Sequence, residues 1–344
     1  MTTWMLYGAN GYTGKLIIEV AKRRGLKPVL AGRNREAIEA LAAEFDLECR
    51  VFPIEAMPQN LEGISAVLLA AGPFVHTSAI VADACIGKGI HYLDITGEIS
   101  VYEALYEQGD KARAAGSVLL PGVGFDVVPS DCLAASLAQA MPDAVALELA
   151  FSGGQLSKGT TKTMLAHVGS GGAIREDGVI RPVPLAYHTK TINFHDKSRS
   201  CMTIPWGDVS TAFRSTGIGT IRVYTSANKA AVRQMKVMRH VAPLLTSGFV
   251  QTQLGRLIDA KVKGPGATAR AAGKTEFWGL VRDAEGNTLE GTLTAPEGYN
   301  LTAECATTSV ERIGTVGPGF KTPSLAFGPA YITEFDGCTL RIPR

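Results

Sequence analysis

Cysteine is sparse in this chain, and what there is lies scattered. Cys49, Cys85, Cys132, Cys201, Cys305 and Cys338 form no Cys-x-x-Cys pair. That spacing speaks against a zinc hook and a dense disulfide framework and suits reduced thiols. Cys85 and Cys132, alone in apolar runs, read as small core residues. Long hydrophobic runs are also missing. The longest, Ala66 to Val75, is broken by Gly72-Pro73 and is too short to span a bilayer. Because a strand pattern begins at about Thr3, no signal peptide is expected, nor a membrane partner, and the expected location is cytoplasmic. An excess of one charge is lacking too: the formal net charge is +2, with Lys and Arg dispersed, so nucleic acid is not an expected partner. The cluster Lys22-Arg23-Arg24 reads as the solvated end of a helix.

What is present fits a globular protein with sizeable cores: 46% hydrophobic and 19% charged residues. A length of 344 residues predicts two domains. In the first part, apolar strand patterns alternate with helical ones. Trp4-Met5-Leu6-Tyr7 is a buried strand, and Leu16, Ile17, Val20 and Ala21 recur at helical spacing until Gly25. Strands follow at Pro28–Ala31, Cys49–Phe52, Ser65–Ala71, Gly89–Asp94 and Ser117–Leu120, with helices between most of them. This order predicts right-handed crossovers and a doubly wound parallel sheet of Rossmann type over residues 1–130.

After Gly124-Phe125-Asp126 the alternation stops. A connecting helix from Pro129 to Met141 leads into a second α+β domain with a mixed or antiparallel sheet, residues 131–325. Within it are a helix over Gly159–Val168, short strands between His188 and Tyr224, a helix over Lys229–Leu245, and a hairpin over Thr275–Leu293. A closing helix spans Tyr299–Ile313. Residues 326–344 are the candidate segment for a return to the first domain.

Gly8-Ala9-Asn10-Gly11-Tyr12-Thr13-Gly14 falls between a predicted strand and a predicted helix, where a dinucleotide fingerprint belongs. The first glycine suits a tight turn, the second an approach of phosphate to backbone N–H groups, the third close packing of helix on strand. At the end of the second strand, Ala31-Gly32-Arg33-Asn34-Arg35 has no acid before Glu36. A carboxylate there would accept from a ribose 2′-hydroxyl; the Arg33 guanidinium would pair with a 2′-phosphate, so NADP(H) is the expected cofactor. The small residues Ala70, Ala71, Gly72 and Pro73 would let the nicotinamide ribose lie against backbone, with Phe74 a wall or core.

The catalytic groups are less legible. There is no Tyr-x-x-x-Lys pair in the first domain: four residues beyond Tyr106 stands Asp110. Asp126, in a tight glycine turn, is a candidate for catalysis or substrate contact. Lys162 and His167, after Ser157-Lys158-Gly159-Thr160, are candidates to bind a carboxylate or donate a proton; a surface lysine and a core histidine are the plainer readings. Asp94 could place a carboxylate beside the nicotinamide, and Glu98 could do the same or act as a helix cap. Trp206, Phe213, Trp278 and Tyr299 could wall a substrate cleft or fill the core.

Together these segments resemble the saccharopine dehydrogenase-like oxidoreductases, including their trans-acting enoyl reductase branch. The matching pieces are Tyr7–Lys15, Leu30–Asn34, Ala71–Phe74, Tyr92–Glu98 and Gly124–Asp131, with weaker returns at Gly273–Thr307 and Thr322–Gly328. The resemblance implies a Rossmann domain, a substrate domain with a mixed sheet, and a homodimer. It also implies hydride transfer with a small-molecule substrate at a C=N, C–N or C=C bond. A nucleotide-sensing regulator that binds NADP(H) without turnover is the alternative.

Overall fold

A computed structural model describes residues 3–153, 161, 171–245 and 264–343. In chain order the first elements are β1 (Trp4–Tyr7), α1 (Tyr12–Arg23), β2 (Val29–Gly32), α2 (Arg35–Phe45), β3 (Cys49–Val51) and β4 (Ala66–Leu69). Then come α3 (Phe74–Lys88), β5 (His91–Asp94), α4 (Ile99–Glu107), α5 (Gly109–Ala114), β6 (Val118–Leu120) and α6 (Val128–Ala140). The next stretch holds β7 (Ala146–Ser152), β8 (Gly172–Glu176), β9 (Val179–Val183), β10 (Thr189–Asn193), β11 (Ser198–Thr203) and α7 (Asp208–Thr216). It continues with β12 (Thr220–Ser226), α8 (Lys229–Leu245), α9 (Ala267–Ala272), β13 (Lys274–Arg282) and β14 (Thr288–Pro296). The chain ends with α10 (Gly298–Arg312), β15 (Gly319–Phe320), α11 (Pro323–Phe327) and β16 (Thr339–Arg341).

The elements form two compact units: residues 1–128 with 299–328, and residues 129–298 with 329–344. In the first, seven strands run in the order β15-β6-β5-β4-β1-β2-β3, every pair parallel. The strands β1, β2 and β4 are buried along their whole length, as their unbroken apolar sequences require. From β1 the chain turns outward to β2 and β3, then re-enters beside β1 on its other side as β4. The order therefore reverses between β1 and β4, and ligands of open α/β sheets bind at the carboxyl edge of such a reversal. Helix α1 buries Leu16, Ile17, Val20 and Ala21 against this sheet. Each large side chain so buried stabilises the fold by about 1.5–3 kcal/mol.

The returning segment differs from the expectation. Residues 299–328 come back to the first unit, whereas 329–344 stay with the second. The cause is apolar burial and strand pairing: Ala303, Ala306 and Val310 of α10 share one core with Leu16, Ile17 and Val20. Further on, β15 adds to β6, while β16 pairs with β14.

The second unit carries a mixed sheet, β10-β11-β12-β7-β13-β14-β16, with the β8–β9 hairpin attached to β12. Only the β7–β12 pair in it is parallel among the described strands. Gly279 and Gly291 face each other on β13 and β14, and a Cβ at Gly279 would lie 2.6 Å from a Leu137 methyl of α6. These glycines let the helix settle directly on the sheet. The hairpin over 274–296 follows the expected pattern, whereas α7 and the β8–β9 hairpin were not read from the sequence. The helix expected over Gly159–Val168 lies outside the described residues, apart from Thr161, which is helical. No helix of the described residues is long and apolar enough to cross a membrane.

Candidate dinucleotide site

At the carboxyl end of β1 the chain turns at Gly8, whose φ of +93° is one that L side chains rarely adopt. A Cβ there would stand 2.8 Å from the Ala70 carbonyl carbon and 2.9 Å from the Ala71 nitrogen. The two loops at the strand-order reversal are thus in backbone contact. Gly14 works differently: a Cβ on it would stand 2.5 Å from the Gly8 oxygen, so its absence lets the first turn of α1 close onto the loop. Gly11 is the N-cap of α1, with no side-chain capping bond and no acidic residue in the first turn. The glycine N-cap brings no side-chain oxygen to the N–H groups of that turn, and the helix dipole directs partial positive charge at the same spot. This is the geometry of a phosphate cradle.

At the end of β2, Gly32 is buried and Arg33 is exposed. Arg33 makes no ion pair among the described residues, while its neighbour Arg35 pairs with Glu39 at 2.7 Å. Asn34, expected at the cofactor, uses its Oδ1 to cap α2 by accepting from the Ala37 N–H at 3.1 Å. Asn10 lies close to this edge, its Oδ1 about where a Gly32 side chain would reach.

The loop after β4 is held from two directions. Thr77 donates its hydroxyl to the Ala71 carbonyl at 2.8 Å. Both oxygens of the Glu98 carboxylate accept backbone N–H groups at the start of α3, from Phe74 at 2.8 Å and Val75 at 2.9 Å. Glu98 is the N-cap residue of α4, as expected, but it makes no side-chain cap bond there and its carboxylate caps α3 instead. Phe74 is buried in the core, so its ring is packing rather than a wall. Ala71 and Pro73 are partly exposed and Gly72 is exposed, which leaves this backbone open along the edge.

Asp94 departs from its expected role. It is wholly buried, and its carboxylate accepts from the Tyr92 hydroxyl at 2.6 Å, the Thr96 N–H at 3.0 Å and the Gly122 N–H at 2.8 Å. With no exposed atom, its carboxylate ties the end of β5 to the end of β6. Burial raises its carboxyl to about 6, opposed by the hydrogen bonds from Tyr92, Thr96 and Gly122. Tyr102 donates its hydroxyl to the Thr96 carbonyl, completing the knot.

Asp126 lies in the turn after β6, its Oδ2 3.0 Å from the position a Gly97 Cβ would take. The Tyr92–Glu98 and Gly124–Asp131 motifs, distant in sequence, therefore meet where Asp126 packs against Gly97. Burial pushes the Asp126 carboxyl up to about 7. Two further residues stand at this edge, of which the sequence singles out only Tyr299, and for another role. Thr302 of α10 accepts the Phe125 N–H at 3.0 Å, and its methyl lies 2.8 Å from a would-be Gly124 Cβ. Tyr299, read as second-domain wall or core, meets the Tyr12 ring edge-on at 4.9 Å between centroids. Lys162 and His167 lie outside the described residues. No cluster of His, Cys, Asp and Glu suited to a metal occurs among the described residues.

The fold is that of an α/β protein, with a doubly wound parallel sheet in one unit and a mixed sheet in the other. Residues 4–120 match the saccharopine dehydrogenase NADP binding domain family. The chain is distantly homologous to trans-acting enoyl reductases. A Mycobacterium tuberculosis H37Rv protein described provisionally as one is 30% identical over 180 residues, covering 47% of this chain and 43% of its own. The trans-acting enoyl reductase of Mycobacterium leprae is 30% identical over 138 residues, covering 37% and 33%. The chain thus spans less than half the length of these curated relatives. Among solved structures, apo saccharopine dehydrogenase (L-Glu forming) from Saccharomyces cerevisiae superposes with a TM-score of 0.65 at 11% identity, covering all of both chains. That likeness concerns the fold.

Proposed function

We propose that the chain is an NADP(H)-dependent oxidoreductase that moves a hydride to or from a small substrate at a C=N, C–N or C=C bond. One observation carries the cofactor part: the first turn of α1 follows a glycine N-cap and holds no acid, and Arg33, at the end of the neighbouring β2, makes no ion pair among the described residues. The residues present fit the group. The N–H groups after Gly11 would hold the pyrophosphate, Arg33 the 2′-phosphate, and the open backbone of Ala71-Gly72-Pro73 the nicotinamide ribose. When bound, NADP(H) supplies the hydride or accepts it. The chain's own task is to orient the reactants and manage a proton. Asp126 suits that task because its carboxyl, raised to about 7, can hold or release a proton near neutrality.

Titration with NADPH and NADH tests the reading, followed by a cofactor-oxidation screen over keto acids with amines, enoyl esters and aldehydes. NADPH is expected to bind more tightly than NADH, and Arg33→Asp to weaken NADPH by roughly tenfold or more while sparing NADH. Equal affinities for the two, or an Arg33→Asp variant that binds NADPH like the wild type, would sink the assignment.

A further inference from the structure

The glycine loop is not finished by the segment that contains it. Tyr12, the first residue of α1, directly follows the glycine N-cap of that helix. Its ring meets Tyr299 edge-on, at 4.9 Å and 83° between planes. Tyr299 belongs to α10, in the returning segment of the same unit. Three residues later, on the same side of that helix, Thr302 accepts the Phe125 N–H and fills the space that Gly124 leaves. The first turn of α10 is therefore anchored on the turn that carries Asp126, and from that anchor it presents Tyr299 to the glycine loop. Farther along, Glu304 and Glu311 bind Arg24 at the opposite end of α1, so the two helices are registered at both ends.

We propose that Tyr299 is a positioning residue of the dinucleotide site, fixing the Tyr12 ring and with it the first turn of α1 that would cradle the pyrophosphate. This rests on the cofactor assignment above and adds a residue from a segment outside the matched domain. An edge-to-face pair holds a ring by quadrupole attraction, which depends on an aromatic partner and not on the hydroxyl. Phenylalanine should therefore replace Tyr299, and an aliphatic residue should not. The glycine-rich turn tolerates many backbone states, and a helix start left loose must be ordered when a phosphate binds, at a cost in affinity.

The experiment is a fluorescence titration of NADPH into the full-length wild type and four variants, each also followed by thermal unfolding. Tyr299→Ala and Tyr299→Leu are expected to raise the NADPH Kd by about two- to tenfold, whereas Tyr299→Phe keeps the wild-type value. Glu311→Ala serves as the control, since it removes an ion pair from the same two helices away from the loop and should leave the Kd unchanged. Tyr299→Leu retains apolar volume, so it reports on the ring even where Tyr299→Ala fails to fold. Wild-type affinity in the Leu variant would overturn the proposal and leave the cofactor assignment standing. So would a Glu311→Ala variant that loses as much affinity as Tyr299→Leu, because the effect would then come from general loosening of the helix pair. A wild type that does not bind NADPH would overturn the cofactor assignment itself, and this proposal with it.

Discussion

Helices α1 and α3 leave neighbouring strands at one edge of one sheet, yet their N-termini are finished in opposite ways. At α3 the protein supplies its own anion: Glu98 places one carboxylate oxygen on the Phe74 N–H and the other on the Val75 N–H. At α1 the cap is a glycine, which has no side chain to offer, and the first turn holds no acidic residue. Helix α2 takes a third course, capped by the neutral Asn34. Since every helix start carries the same unsatisfied N–H groups, the difference is one of use. A terminus filled by a buried carboxylate is a structural joint, while a terminus left to glycine can receive a ligand's anion. Strand-order reversal alone would permit phosphate at either helix; the placement of Glu98 removes α3 from consideration.

The largest way to break this comparison is to empty the filled terminus. Glu98→Ala should destabilise the protein by about 3 kcal/mol, because two charge-assisted hydrogen bonds vanish and buried N–H groups lose their partner. Glu98→Gln should keep roughly half of that stability, its one carbonyl oxygen serving one N–H while its amide opposes the other. Urea unfolding measures both. A Gln variant as stable as the wild type would show that the charge at α3 is not used.

This joint also marks how far the sequence could be read. The alternation of β1 through β6 with helices was legible because strands buried on both faces are apolar throughout, and helical faces repeat at their own period. The glycine loop was legible because the positions of Gly8, Gly11 and Gly14 answer three distinct steric demands. The role of Glu98 was not. Capping was foreseen, but for the helix next in sequence, since no local pattern tells that a carboxylate reaches back across the sheet edge to Phe74. Asp94 shows a related limit: an acid at a strand end is the same letter whether it faces a ligand or the three buried donors it meets here. The membership of α10 in the first unit was hidden too, because Ala303, Ala306 and Val310 give an apolar face that does not name its partner.

A smaller and sharper test converts the open terminus into the filled one. Thr13→Glu would put a carboxylate in the first turn of α1, at the second helical position, where the helix dipole favours it. Stability should hold or rise by about 0.5 kcal/mol. The NADPH Kd should rise roughly tenfold or more, about 1.4 kcal/mol, because the new charge competes with a pyrophosphate for the same N–H groups. Unchanged affinity would move the phosphate away from α1 and dissolve the contrast with α3.

The last test concerns a carboxylate used in neither of these ways. Asp126 is held against Gly97, and burial lifts its carboxyl to about 7. An unfolded aspartate releases its proton near 4, so between about 4 and 7 the native state binds more protons than the unfolded one. Stability from this group is therefore greatest at low pH and falls as pH rises through that window. At its native midpoint, where half a proton separates the two states, the slope is about 0.7 kcal/mol per pH unit. Asp126→Asn should flatten that part of the stability profile and raise the stability at pH 8 relative to pH 5. The same variant should keep NADPH binding and lose turnover with any substrate the screen finds, since an amide cannot exchange the proton. A variant with the wild-type pH profile would show that Asp126 is ionised in the folded protein. Its carboxylate would then belong with that of Glu98, as a joint.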